Sequence, residues 1–128
     1  MEGHCKAEAL VTNQPISFLG GIDPADGRIM EKNHELCGIC VKDKVLCFPH
    51  GHGSTVGSYV LYSLAKRRTA PKAIINETAD PVIVVGAIIA DIPMIAGIDI
   101  TQIKTGDTVE VDACNGVVSV VKRKEKRK

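Results

Sequence analysis

The sequence predicts a single mixed α/β domain, and three observations favour this fold class. Isoleucine and valine dominate an apolar content of 45%, and tryptophan is absent, which is typical of buried strands rather than of a helical bundle. Helical and strand patterns alternate between residues 56 and 98, as in a layered fold with a parallel pair of strands. Asn115-Gly116 separates two apolar runs and predicts a β-hairpin near the end. At 128 residues the chain can bury one hydrophobic core.

The first 48 residues predict short strands joined by loops. Residues 7–19 alternate loosely around a proline, which indicates two short strands or one strand with a bend. Asp23-Pro24 starts a turn, and Asp26-Gly27 supplies the left-handed position that ends one. Strands are also predicted at residues 39–41 and 45–48, with loop throughout residues 20–29 and 31–37.

Two helices are predicted in the middle of the chain. Apolar residues recur at helical spacing from Val56 to Leu64, and Ala70-Pro71 stops this helix after residue 68. Asp80 as N-cap and Pro81 at the first helical position start the second helix, which Asp91-Ile92-Pro93 ends. This second helix is apolar on nearly every side, so we expect it to be buried. Further strands are predicted at residues 72–76, 94–98, 108–112 and 117–121, with a turn at 104–107.

The charges of the chain are unevenly distributed. The last seven residues carry six basic and one acidic side chain, a net +5, which leaves −4 for the remainder of a chain whose total is +1. A mildly acidic body argues against a nucleic-acid-binding face, which needs clustered basic residues. We expect a domain at residues 1–121 and a disordered basic tail at residues 122–128.

Membrane insertion and secretion are not expected from the sequence. The longest apolar run, residues 82–90, is far shorter than the roughly 20 residues that span a bilayer, and residues 1–6 lack the apolar segment of a signal peptide. The five cysteines have no disulfide-scaffold spacing, which indicates a reducing cytoplasm.

The segment from His50 to Ser58 is a glycine-rich turn between a predicted strand and a predicted helix. Gly51, Gly53 and Gly57 allow the backbone to approach a ligand closely. Unpaired N–H groups and the positive end of the helix dipole favour an anion such as a carboxylate or phosphate. The segment lacks the Gly-Lys-Ser/Thr of a P-loop and the glycine spacing of a dinucleotide-binding turn.

Simpler interpretations exist for each candidate residue of this segment. Ser54 and Thr55 could simply cap the following helix. His50 and His52 could bind a metal, but without a third ligand at recognisable spacing we favour hydrogen bonding within the loop.

A second candidate site is the Cys37-x-x-Cys40 pair. Followed by Cys47, His50 and His52, it could build a zinc or iron–sulfur site. A second close cysteine pair is missing, and free cysteines are commonly buried as small hydrophobic residues, so we expect no metal on this chain.

Five blocks of sequence together resemble the small subunit of the aconitase X family. They occur in the family order over residues 7–121, and the chain is most similar to the archaeal form in which this subunit is a separate protein. The blocks are Gly20-Gly21-Ile22-Asp23-Pro24 with Gly27, Lys44-Val45-Leu46, the segment Gly51-x-Gly53-Ser54-x-x-Gly57-Ser58, Ala70-Pro71-x-Ala73-Ile74-Ile75, and Ala90-Asp91-Ile92-Pro93.

The resemblance implies a fold, a reaction and a partner. The fold would be the swivelling β/β/α domain found in the C-terminal domain of aconitase and the small subunit of isopropylmalate isomerase. The reaction would be dehydration of (R)-5-phosphomevalonate to trans-anhydromevalonate 5-phosphate in an archaeal-type mevalonate route to isoprenoids. The iron–sulfur cluster would lie on a separate large subunit, so activity is expected only in a heterodimer or larger complex.

The resemblance also assigns roles within the glycine-rich segment. Ser54 falls on the position of the catalytic serine of aconitase-like enzymes and would accept the proton, while Gly51, His52, Gly53 and Thr55 would contact the substrate anion. His52 departs from the family pattern, where arginine is usual, which puts a bidentate clamp at that position in doubt. Two alternatives stay open: a subunit acting on another hydroxy acid such as a hydroxyproline, or a non-enzymatic metal- or partner-binding module using Cys37 and Cys40.

Overall fold

The computed structural model describes residues 4–16, 21–23, 25–32, 34–51 and 57–122. The strands are β1 (His4–Val11), β2 (Ile22–Asp23), β3 (Arg28–Ile29), β4 (Val45–Phe48), β5 (Ala73–Asn76), β6 (Met94–Ile95), β7 (Thr108–Asp112) and β8 (Val117–Lys122). The helices are α1 (Gly57–Lys66) and α2 (Pro81–Ala90), with a 3₁₀ turn at Ile100–Gln102.

Within the described residues, six strands form one mixed sheet in the order β6-β5-β4-β1-β7-β8. The first four are mutually parallel, whereas β7 pairs antiparallel with β1 and β8 pairs antiparallel with β7. Leu46 lies at the centre, paired with Leu10 on one side and Ile74 on the other. The predicted parallel pair is present, but the parallel part of the sheet has four strands rather than two. Sequence order does not reveal that β1 joins the same parallel layer.

The central strands β4 and β5 are buried on both faces of the sheet and are therefore apolar at nearly every position. One face packs against the helices through Leu46 and Ile74, which contact the buried side of α1 and α2. The opposite face packs against the 3₁₀ turn and β7 through Val45, Ile75 and their neighbours. The mixed α/β prediction is confirmed, and this two-sided burial positions the ends of the parallel strands rigidly.

Helix α1 follows the predicted pattern. Leu61 and Leu64 are fully buried, and the helix ends where Arg68 takes a left-handed conformation with φ of 60°. The amide of Thr69 donates to the carbonyl of Leu64 at 2.9 Å and closes the last turn. Val56, the predicted start, lies outside the described residues.

The predicted ends of α2 are confirmed, but its predicted burial is wrong. Asp80 caps the helix, and Asp91 ends it with φ of 60°. Val85, Ile88 and Ile89 are 44–55% exposed, because the helix packs only one side against the sheet and α1. None of the helices in the described ranges is long and apolar enough to cross a membrane.

Three loop and strand predictions need correction. Ile22–Asp23 (β2) and Arg28–Ile29 (β3) pair as antiparallel strands where loop was predicted, and Gly27 takes φ of 75°. Residues 39–41 are not a strand; Cys40 makes only an isolated bridge to Arg28. Strand β6 covers two residues rather than five.

The remaining strand predictions are confirmed. β1 is one strand followed by a bend, and Ile16 then bridges to Gly51. The Asn115-Gly116 turn connects β7 and β8, with Gly116 at φ of 67°. Of the predicted tail, Lys122 ends β8, and residues 123–128 lie outside the described residues.

Candidate active site

The ends of β4 and β5 are held together at the carboxyl edge of the parallel sheet. The amides of Glu77 and Thr78 both donate to the carbonyl oxygen of Pro49, each at 3.1 Å. In open α/β sheets this edge is where ligands bind, because the loops that follow the parallel strands converge there. These hydrogen bonds fix the residue that directly follows β4, and the chain leaves the sheet there at a position suited to ligand contact.

Gly51 is enclosed from two sides at this edge. The amide of Ile16 donates to the carbonyl of His50 at 3.4 Å, and Ile16 bridges to Gly51. On the other side, a Cβ at residue 51 would lie 2.8 Å from both Cγ1 and Cδ1 of Ile83 and 3.4 Å from Oδ2 of Asp80. Any larger residue at this position would require the side chain of Ile83 to move.

We expect Gly51→Ala to destabilise the domain by about 1–3 kcal/mol, the usual cost of inserting an atom into a packed position. Denaturant unfolding of the variant measures this loss. In an Ile83→Ala background the same substitution should cost clearly less, because both contacting carbon atoms are then absent. Equal costs in the two backgrounds would contradict the close approach of α2 to Gly51.

Helix α2 supplies its own anion at its N-terminus. Oδ1 of Asp80 accepts hydrogen bonds from the amides of Val82 at 2.9 Å and Ile83 at 3.4 Å. The positive end of this helix dipole is therefore already opposed by a carboxylate. Helix α1 has no acidic residue in its first turn and has Lys66 in its last. An anionic substrate would accordingly be favoured at the start of α1 rather than of α2.

The structure describes only part of the predicted site. Gly51 lies at the carboxyl edge as expected, whereas His52, Gly53, Ser54 and Thr55 lie outside the described residues. Ser54 is three residues along the chain from Gly51 and three from Gly57, the first residue of α1. Its assignment as the proton acceptor stays a prediction.

The side chain of His50 hydrogen-bonds to the backbone of the next residue. Its Nδ1 donates to the carbonyl oxygen of Gly51 at 2.8 Å. The favoured interpretation of His50 as a loop hydrogen-bonding residue is thus consistent with the structure.

The cysteines do not gather into a site among the described residues. Cys37 is exposed and Cys40 half-buried, and no group of three or more His, Cys, Asp or Glu side chains in the described ranges could hold a metal ion. Burial raises the pKa of the Cys47 thiol to about 12, so this thiol stays protonated and unreactive at neutral pH.

Two features of this edge were missed in the sequence. Asn76 is the last residue of β5 and is fully buried. The sequence signal that could have identified it is a polar residue at the end of an otherwise apolar strand. A cleft of about 380 Å³ opens beside the end of β1. Thr12 and Glu35 both line this cleft, and the hydroxyl of Thr12 donates a hydrogen bond to the carboxylate of Glu35. No local signal pairs residues this far apart in sequence.

Comparison with protein families and curated proteins gives a consistent result. Residues 1–120 match the family described as the aconitase X swivel domain. The chain is 48% identical to the phosphomevalonate dehydratase small subunit of Pyrococcus furiosus over 94% of this chain and 90% of that one. It is 50% identical to the protein of the same name from Thermococcus sibiricus, over 92% and 91% of the two chains.

Solved structures agree with these relatives. A crystal structure of Thermococcus kodakaraensis aconitase X in its holo form superposes with a TM-score of 0.93 at 45% identity, covering 94% of this chain and 92% of that one. A solution NMR structure of a UPF0107 protein superposes with a TM-score of 0.86 at 47% identity, covering 94% and 93%.

Proposed function

Because the chain belongs to the aconitase X swivel-domain family, we propose that it is the small subunit of a phosphomevalonate dehydratase. The observation that carries this function is the near-complete overlap, in both chains, with archaeal proteins of that name. The enzyme is then a hydro-lyase, and this chain contributes one half of its active site.

The reaction removes water from (R)-5-phosphomevalonate and gives trans-anhydromevalonate 5-phosphate. A proton leaves the carbon next to the carboxylate, the hydroxyl leaves the neighbouring carbon, and the electron pair of the broken C–H bond forms the double bond. The protein must therefore bind the anion, accept a proton and promote departure of the hydroxyl.

We assign the proton-accepting step to Ser54. A serine hydroxyl is too weak a base unless it reacts as an alkoxide that preorganised N–H donors stabilise in a dry site. The first N–H groups of a helix have no partner within it and would suit this role at the start of α1, whose first turn has no acidic side chain. Gly51, His52, Gly53 and Thr55 are assigned to contacts with the substrate anion.

The partner of this chain is a large subunit, as the names of its relatives imply. We assign the iron–sulfur cluster to that subunit, where iron would supply Lewis-acid assistance to the departing hydroxyl. The five cysteines of this chain are free thiols, which suits a reducing compartment, and we place the enzyme in the cytoplasm.

Anaerobic reconstitution tests the proposal. The purified chain is combined with its large subunit, and formation of the unsaturated product from (R)-5-phosphomevalonate is followed. We expect turnover only with both subunits present, and little or none with unphosphorylated mevalonate or a hydroxyproline. Preferred turnover of a hydroxyproline, or activity of this chain alone, would overturn the assignment.

A further inference from the structure

Asn76 is a fully buried polar side chain at the carboxyl end of β5. Its Nδ2 donates to the carbonyl oxygen of Phe48 at 3.0 Å and to that of Ile75 at 3.3 Å. Both hydrogen-bond partners of this nitrogen are carbonyl oxygens. If the amide were rotated to exchange its nitrogen and oxygen, Oδ1 would lie against these two oxygens without a hydrogen between them. The orientation of the amide is therefore determined by its surroundings.

The other end of the same amide has no partner. Oδ1 of Asn76 is buried and accepts no hydrogen bond in the described structure. An unsatisfied buried acceptor costs stability, and a leucine of similar size would avoid that cost. A polar residue at this position is thus better explained by a functional role than by packing.

The position of Asn76 indicates what this functional role is. Its Nδ2 and the amides of Glu77 and Thr78 place three donors on the two successive carbonyls of Phe48 and Pro49. These carbonyls immediately precede His50-Gly51, where the chain leaves the sheet. The end of β5 therefore fixes the direction in which the glycine-rich segment departs.

We propose that Asn76 is a positioning residue for the dehydration, an inference that rests on the proposed function. Its Nδ2 fixes the end of β4 from which the chain continues to Ser54, and its Oδ1 accepts a hydrogen bond from an N–H or O–H donor of the assembled active site. Asn76 touches no reacting atom; it acts through the segment that it holds.

The test uses the reconstituted two-subunit enzyme with Asn76→Leu and Asn76→Asp. Asn76→Leu removes both ends of the amide and should lower kcat about tenfold or more while changing KM by less than about threefold, because misplacement by about 1 Å is enough for such a loss. Thr105→Val is the matched control. Thr105 Oγ1 accepts from the amide of Val11 at 2.9 Å and thus holds the end of β1 at the same edge; its loss should leave kcat within about twofold of wild type.

The pH profile of Asn76→Asp separates positioning from a purely structural role. Burial and the nearby carbonyl oxygens favour the protonated carboxyl, which still donates one hydrogen bond to Phe48. We expect kcat near wild type at low pH and a fall as the carboxyl ionises. The ionisable side chains of the adjoining segments, His50, Glu77 and Asp80, are the same in wild type and variant, so only a transition that the variant adds is informative.

Subunit association and the folded fraction are measured for each variant. The inference is overturned if Asn76→Leu loses no more kcat than Thr105→Val, if the Asn76→Asp profile parallels wild type, or if unassembled protein accounts for the lost activity. Should Asn76→Leu fail to fold, Asn76→Asp decides the matter through its pH profile.

Inactivity of the wild-type complex on (R)-5-phosphomevalonate would reject the proposed function and the link to the dehydration, but not the positioning by Asn76 of the chain that follows β4. Amide hydrogen exchange of Glu77, Thr78 and Gly51 would then judge it without any substrate. Faster exchange at these positions in Asn76→Leu, with unchanged exchange in β7, supports the positioning role; unchanged exchange overturns it.

Discussion

Ser54→Ala is expected to lower kcat of the assembled enzyme by about 10²–10⁴, the usual range for loss of a group that transfers a proton in the transition state. Substrate contacts by the backbone of the glycine-rich segment survive the substitution, so KM should change much less than kcat. Steady-state assay of the anaerobic complex with (R)-5-phosphomevalonate measures both constants.

The capping interpretation of Ser54 predicts a different result. A residue that only caps α1 would cost about 1 kcal/mol of stability on replacement by alanine and leave kcat per folded complex unchanged. Ser58→Ala is the matched control, since it removes the same hydroxyl group four residues later in a residue to which no chemistry is assigned. Near-normal turnover in Ser54→Ala, or an equal loss in Ser58→Ala, would remove Ser54 from the mechanism.

Local signals in the sequence predicted the ends of elements well. Asp80-Pro81 started α2 and Asn115-Gly116 joined β7 to β8, because each depends on backbone preferences and hydrogen bonds within a few residues. The same reasoning failed for β2 and β3. Strands of two residues have no periodic pattern, and their pairing becomes apparent only when Ile22 and Ile29 lie opposite each other.

Non-local contacts explain what the sequence could not show about the site. Asn76 meets Phe48 only because β5 pairs in parallel with β4, 28 positions apart in sequence. Gly51 was predicted for its permissive backbone, yet the structure shows a steric requirement set by Ile83 of α2. The chemistry of the glycine-rich segment could thus be inferred from residue types, whereas its mechanical support could not.

Phe48→Ala is expected to reduce the free energy of unfolding by about 3–5 kcal/mol, because its buried ring leaves a cavity that the surroundings fill only partly. The side chain of Phe48 is fully buried in the core cluster that also contains Leu46, Leu61 and Ile83. A domain of this size is stable by about 5–15 kcal/mol in total, so the loss is a large fraction of the whole. Denaturant unfolding of the isolated chain measures it.

Two control variants connect this loss to the architecture of the site. Tyr59→Ala removes a ring that is 66% exposed on α1 and should change the stability by no more than about 0.5 kcal/mol. Phe48→Leu keeps most of the buried volume and should cost much less than Phe48→Ala. Equal losses for Phe48→Ala and Tyr59→Ala would mean that the ring of Phe48 is not enclosed between sheet and helices. In that case the strand that leads to the glycine-rich segment would lack rigid support from the core.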